Sequence, residues 1–220
     1  MEVFKYSNIG LREVNQDYIV SQTISQDVSL HLVADGMGGY ECGDIASKIV
    51  GDSYIYGLSC KMNLDESTTL ASSNIEKERR NIGVSKMGST VAGVLLKGLD
   101  AITFWAGDSR IYIFRDKKIM YQSEDHSMVN ELSKLRKLTF EERKRYGHII
   151  TRSIMGNSND RIDTREVTLR TGDEILICTD GIYKDCSVDY LAESLRSGGF
   201  DIDKHNDDFE DNHSFIFITV

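Results

Sequence analysis

The chain is 220 residues long, 40% hydrophobic, with a formal net charge of -9; that supplies one substantial core and is short for two, so a single domain over 1–220 is expected. The acidic balance argues against nucleic acid as a partner, because the densest basic patch, Arg136 to Arg145, is broken by Glu141 and Glu142 and cannot track a phosphate backbone. No run approaches the roughly 20 apolar residues of a membrane span, and the first residues lack the charged and apolar regions of a secretion signal, so a cytoplasmic protein without membrane contact is expected.

Strand-like runs come first: Val3 to Tyr6, Tyr18 to Thr23 and Leu30 to Asp35. A helical pattern over Gly43 to Leu58 places Ile45, Ile49 and Tyr56 on one side, and a more polar one covers Ser67 to Ile82. Four more strands are predicted at Ser89 to Lys97, Ala101 to Ala106, Arg110 to Arg115 and Lys118 to Gln122. Their connections, such as Gly98-Leu99-Asp100 and Gly107-Asp108, are too short for parallel crossovers, so neighbouring strands should be antiparallel. Helical patterns return over His126 to Leu135 and Phe140 to Tyr146. Ile175 to Asp180 reads as a strand, Val188 to Leu195 as a helix ended by Gly198 and Gly199, and an apolar strand closes the chain. Strands and helices in blocks indicate the α+β class, with two packed sheets covered by helices. Cys42, Cys60, Cys178 and Cys186 show no C-x-x-C spacing and read as free thiols.

Two of the apolar runs end in Asp-Gly, at Asp35-Gly36 and Asp180-Gly181. A strand that carries a carboxylate to the rim of a sheet, followed by a glycine that turns the backbone and exposes its carbonyl, supplies hard oxygen ligands. Asp17, Asp108 and Asp211 stand in similar surroundings. Any one of them alone reads as ordinary turn chemistry. Five together point to a hard-cation centre for Mg²⁺ or Mn²⁺, whereas the scattered histidines and the lack of paired cysteines do not suit zinc. Two such cations activate water and neutralise a phosphoryl group, so the natural reaction is hydrolysis of a phosphate ester. Arg12, five residues before Asp17, offers a planar fork for two phosphate oxygens.

In order, the chain carries Gly10-Leu11-Arg12 with Asn15-Gln16-Asp17, Asp35-Gly36-Met37-Gly38-Gly39, Gly88-Ser89-Thr90, Gly107-Asp108-Ser109-Arg110-Ile111-Tyr112, Asp125-His126-Ser127, Thr151-Arg152 with Gly156, Thr179-Asp180-Gly181, and Asp211-Asn212. This series resembles the metal-dependent type 2C (PPM) serine/threonine protein phosphatases in their compact bacterial form. The resemblance implies a four-layer α-β-β-α sandwich with two central, mostly antiparallel sheets, and a flap near 126–149 beside the active site. It implies two divalent cations, Mn²⁺ or Mg²⁺: Asp35 bridges both, Asp180 and Asp211 complete the first site, and Asp17 with the Gly36 carbonyl serves the second. Asp108, shared with Asp180, implies a third and weaker site, and Arg12 binds substrate phosphate.

The implied activity is hydrolysis of phosphoserine and phosphothreonine in proteins by metal-activated water, in a signalling monomer opposed by a serine/threonine kinase. Met37 stands where eukaryotic members carry a histidine proposed to protonate the leaving alkoxide, so the proton must come from elsewhere. Ser153-Ile154-Met155, Tyr183 and His213-Ser214 also depart from the usual pattern, and none of these changes removes an implied ligand. The alternative is a catalytically weak phosphoprotein-binding regulatory module of the same fold. A metal-dependent hydrolase of a small phosphate metabolite is a third reading. His126 reads as a structural histidine and Trp105 as a core residue.

Overall fold

Apolar residues on both faces of the central strands require cover on both sides, and the computed structural model, which describes residues 1–37, 42–198 and 209–220, meets that requirement in four layers. Gly38, Gly39 and Gly199, singled out in the sequence, lie outside the described residues. One sheet runs in the order β1 (Glu2–Asn8), β10 (His213–Thr219), β9 (Glu174–Cys178), β6 (Arg110–Arg115) and β7 (Lys118–Gln122). The other runs β2 (Asp17–Ser25), β3 (Val28–Asp35), β4 (Val91–Lys97), β5 (Asp100–Ala106) and β8 (Asp163–Thr168). Every pairing is antiparallel.

The space between the sheets is mostly aliphatic, with Trp105 among its buried residues. Val33, Val94 and Leu96 meet Ile111, Ile113, Ile175, Ile177, Ile216 and Ile218, all buried. The second sheet turns its other face to α1 (Gly43–Ser59) and α2 (Leu64–Ile82), where Leu30, Leu32 and Phe104 pack with Val50, Tyr54 and Ile75. The first sheet is covered by α5 (Asp180–Asp185) and α6 (Val188–Arg196), with Ile182, Leu191 and Ala192 against Phe114, Leu176 and Phe215. This is the α-β-β-α sandwich. The remaining helices, α3 (Met128–Leu135) and α4 (Phe140–Tyr146), bury no residue and stand out from the layers.

Of the three residues expected together on the first helix, Ile45 and Ile49 pack half-buried against the core and Tyr56 does not. Ala46, Val50, Tyr54 and Leu58 are buried while Tyr56 is 61% exposed, because Tyr54 stacks on Phe104 at 5.1 Å and its hydroxyl meets Thr68 Oγ1 at 2.6 Å. An aromatic ring with a buried polar partner outcompetes one without. The second helix starts three residues earlier than its apolar pattern, where Asn63 and Glu66 form a reciprocal capping box. Strand β8 escaped the sequence pattern because its residues, Asp-Thr-Arg-Glu-Val-Thr, are polar and mostly exposed on a sheet edge. Asp180 begins a short helix instead of ending a strand.

Candidate metal centre

Strand pairing brings the first two carboxylates together. Asp17 opens β2, Asp35 closes β3, and the antiparallel register sets them directly opposite each other. The end of β3 is held by its neighbours: Asp35 N donates to Thr90 Oγ1 at 3.1 Å, Ser89 Oγ donates to Asp35 O at 2.9 Å, and Gly36 N donates to Gln16 O at 3.0 Å. The other sheet contributes from its adjacent strands. Thr179, just beyond β9, donates its hydroxyl to Asp17 Oδ2 at 2.9 Å and its amide to Ser214 O at 3.0 Å. That fixes the start of α5 and hence Asp180.

Asn212 positions the loop carrying Arg12. Its side chain accepts from Gln16 N at 2.8 Å and donates to Ile9 O and Val14 O at 2.8 and 3.0 Å. Arg12 Nη2 in turn donates to Asp211 Oδ2 at 2.9 Å, with its own side chain 55% exposed. Asp108 follows Gly107, whose φ of +119° a side chain would disfavour. Tyr183 Oη donates to the Asp108 carbonyl at 2.9 Å, and the Arg110 guanidinium lies 3.6 Å from the Tyr183 ring centroid. These two groups secure the Asp108 loop to α5.

All seven residues singled out in the sequence therefore gather at one rim of the sandwich. Asp35 feels the charges of Asp17, Asp180, Asp108 and Asp211, and burial, reinforced by those neighbours, pushes its carboxyl well above the usual range. Burial first, then nearby Asp180, also pushes Asp17 and Asp108 up to about 7, with Ser214 and then Thr179 opposing the rise at Asp17. Among the described residues, Asp17 Oδ1 and Asp108 Oδ1 are buried without a hydrogen-bond partner. Among the described residues, no three acidic, histidine or cysteine side chains stand close enough to form a ready-made cage; Asp211 is bound instead to Arg12, and Asp180 to Lys184. The donor set fits a divalent hard cation: oxygen ligands alone, surplus negative charge, and two buried oxygens lacking a partner.

Sequence reasoning missed Lys184 and the role of Thr179. Lys184 sits one turn after Asp180, a spacing that could have announced it. His126 behaves as expected of a structural histidine: it stacks on Trp105, accepts from Gly107 N at 3.1 Å and faces Asp163 at 3.0 Å. Arg152 reaches the same Asp163 carboxylate, so both ends of the segment carrying α3 and α4 are tied to β8. Arg110 also holds Asp125 at its root, through bonds of 2.8 and 2.7 Å.

Comparison with known proteins gives the family of the chain. Protein phosphatase PhpP of Streptococcus pneumoniae is 30% identical over 209 residues, covering 90% of this chain and 85% of the relative. The serine/threonine phosphatase of S. agalactiae superposes with a TM-score of 0.79 at 29% identity, covering 100% of this chain and 99% of that one. The catalytic domain of the serine/threonine protein phosphatase PstP, solved in complex with two manganese ions, gives a TM-score of 0.79 at 25% identity, covering 98% of this chain and 96% of that one. The family model described as protein phosphatase 2C matches residues 6–215, from the strand before Arg12 to the strand after Asp211, and the chain belongs to that family.

Proposed function

We propose that the rim holds two divalent cations, Mn²⁺ or Mg²⁺, for the hydrolysis of phosphoserine and phosphothreonine in protein substrates. Asp35 would serve both cations, Asp180 and Asp211 the first, and Asp17 with the Gly36 carbonyl the second. The observation that carries this reading is the gathering of five carboxylates, two with buried oxygens that lack a partner, beside an exposed guanidinium. When bound, the cations lower the pKa of water toward neutrality and neutralise phosphoryl oxygens. The manganese of PstP, a protein similar over almost the whole chain, supports that choice of ion.

The chain's own residues bind and orient. Arg12, half-exposed at Asp211, can exchange that carboxylate for two phosphate oxygens through its fork. Thr179 holds Asp17 by one oxygen and leaves the other available. Water adds its oxygen to phosphorus, the bond to the serine or threonine oxygen breaks, one of the water's protons passes through solvent to the released hydroxyl, and inorganic phosphate leaves. The whole chain acts as one catalytic domain, with the segment near 126–149 as a flap. That segment exposes Leu135 and Phe140, 82% and 78% accessible, among basic side chains, a surface suited to phosphorylated protein. The reading includes an opposing kinase, a monomer and a cytoplasmic location; among the described residues no helix is long and apolar enough to cross a membrane.

The regulatory-module alternative gains no support, since every implied ligand residue is present. Asp180→Asn should lower Mn²⁺-dependent turnover of p-nitrophenyl phosphate at least about 100-fold, equivalent to ~3 kcal/mol of transition-state stabilisation. Turnover equal to the wild type would overturn the proposal.

A further inference from the structure

Lys184 lies on α5 one turn beyond Asp180 and donates to its Oδ2. Its charge also acts on Asp108 and Asp211. Asp108 is only 6% exposed and its Oδ1 has no hydrogen-bond partner among the described residues, while the charge of Lys184 favours its ionised form. The neighbouring cations are committed elsewhere: Arg110 makes two bonds to Asp125, and Arg12 is bound to Asp211. Among the described residues, Lys184 is the cation that bonds Asp180 while its charge also acts on Asp108.

We propose that the Lys184 ammonium is the outer cation of this centre, filling the position between Asp108 and Asp180 and so limiting the chain to two divalent ions. The inference rests on the metal-centre reading above. Five carboxylates against two divalent cations leave one negative charge, and Lys184 neutralises it within the chain. Arg12 then remains as the surplus positive charge that draws a phosphate dianion. A tethered ammonium needs no recruitment from solution, whereas a third divalent ion would have to displace it from Asp180 and accept a crowded positive neighbourhood.

The test counts ions. Wild-type protein, Lys184→Met and Lys184→Arg are dialysed against Mn²⁺ alone, and bound manganese per chain is measured by elemental analysis alongside a calorimetric titration. Two ions in the wild type and in Lys184→Arg, with a third in Lys184→Met, are expected. Three ions in the wild type, or two in Lys184→Met with unchanged affinities, would overturn the proposal. No bound manganese in the wild type would remove the metal centre itself and this inference with it, which separates the two failures. Should Lys184→Met fold poorly, Lys184→Gln makes the same neutralising change with a polar side chain and is held to the same outcomes.

Discussion

Thr179 joins three segments through one hydroxyl, which donates to Asp17 Oδ2 at 2.9 Å and accepts from the Ser214 amide at 3.0 Å. Replacing it by valine keeps the shape, strands a buried amide and releases the carboxylate. Thr179→Val should lower stability by roughly 1–3 kcal/mol and weaken Mn²⁺ binding about 10- to 100-fold, as expected when a group orienting a ligand is lost. Calorimetric titration and thermal unfolding read these separately, and unchanged manganese affinity would show that Asp17 needs no orienting donor. Asp35 and Asp180 stand out in the sequence because Asp before Gly after an apolar run is a local pattern, whereas Asp17 and Asp211, with other acids nearby and no glycine beside them, are selected only by the family resemblance. The Thr179 role was not legible there, since it pairs residues 162 positions apart and exists only once the two sheets meet.

At the scale of the elements, the two Asp-Gly steps work differently from the turns expected. Neither Gly36 nor Gly181 has a positive φ; both are needed because another backbone passes too close for a side chain. A Cβ on Gly181 would lie 2.1 Å from Asn212 O, and one on Gly36 would lie 2.0 Å from Gly43 O. Gly181 thus lets α5 seat on the Asp211-Asn212 loop, bringing Asp180 toward Asp211. Gly181→Ala should destabilise by at least about 1–3 kcal/mol, the usual range for overpacking, and depress Mn²⁺ affinity. A variant with the wild-type unfolding midpoint and affinity would mean that the α5 seat is soft. The same contrast marks which elements were legible. Apolar strands such as β3, β4 and β10 declare themselves through composition, while polar β8 is a strand only because β5 offers it an edge. The short α5 depends on how Gly181 fits against β10 and its preceding loop, which no local periodicity encodes.

For the whole molecule, gathering like charges at one rim makes stability depend on pH and metal together. Without metal, burial pushes Asp17 and Asp108 up to about 7 and holds Asp35 well above the usual carboxylate range, against roughly 3.9 in an unfolded chain. Between about pH 4 and 7 the metal-free native state therefore holds protons that the unfolded state has lost. Stability contributed by these groups is complete below pH 4 and falls as pH rises, by an amount on the order of several kcal/mol. His31 works in the opposite direction. Burial pushes its imidazole down to about 4, so its contribution is complete above about pH 6.5 and fades on acidification. Bound cations remove the carboxylate penalty, because they favour the ionised form, and leave the His31 dependence in place. The gain in Tm produced by saturating Mn²⁺ over EDTA should accordingly be small at pH 5 and large at pH 7.5. Thermal unfolding at both pH values, with and without manganese, measures it; a gain independent of pH would mean that the gathered carboxylates do not carry the metal.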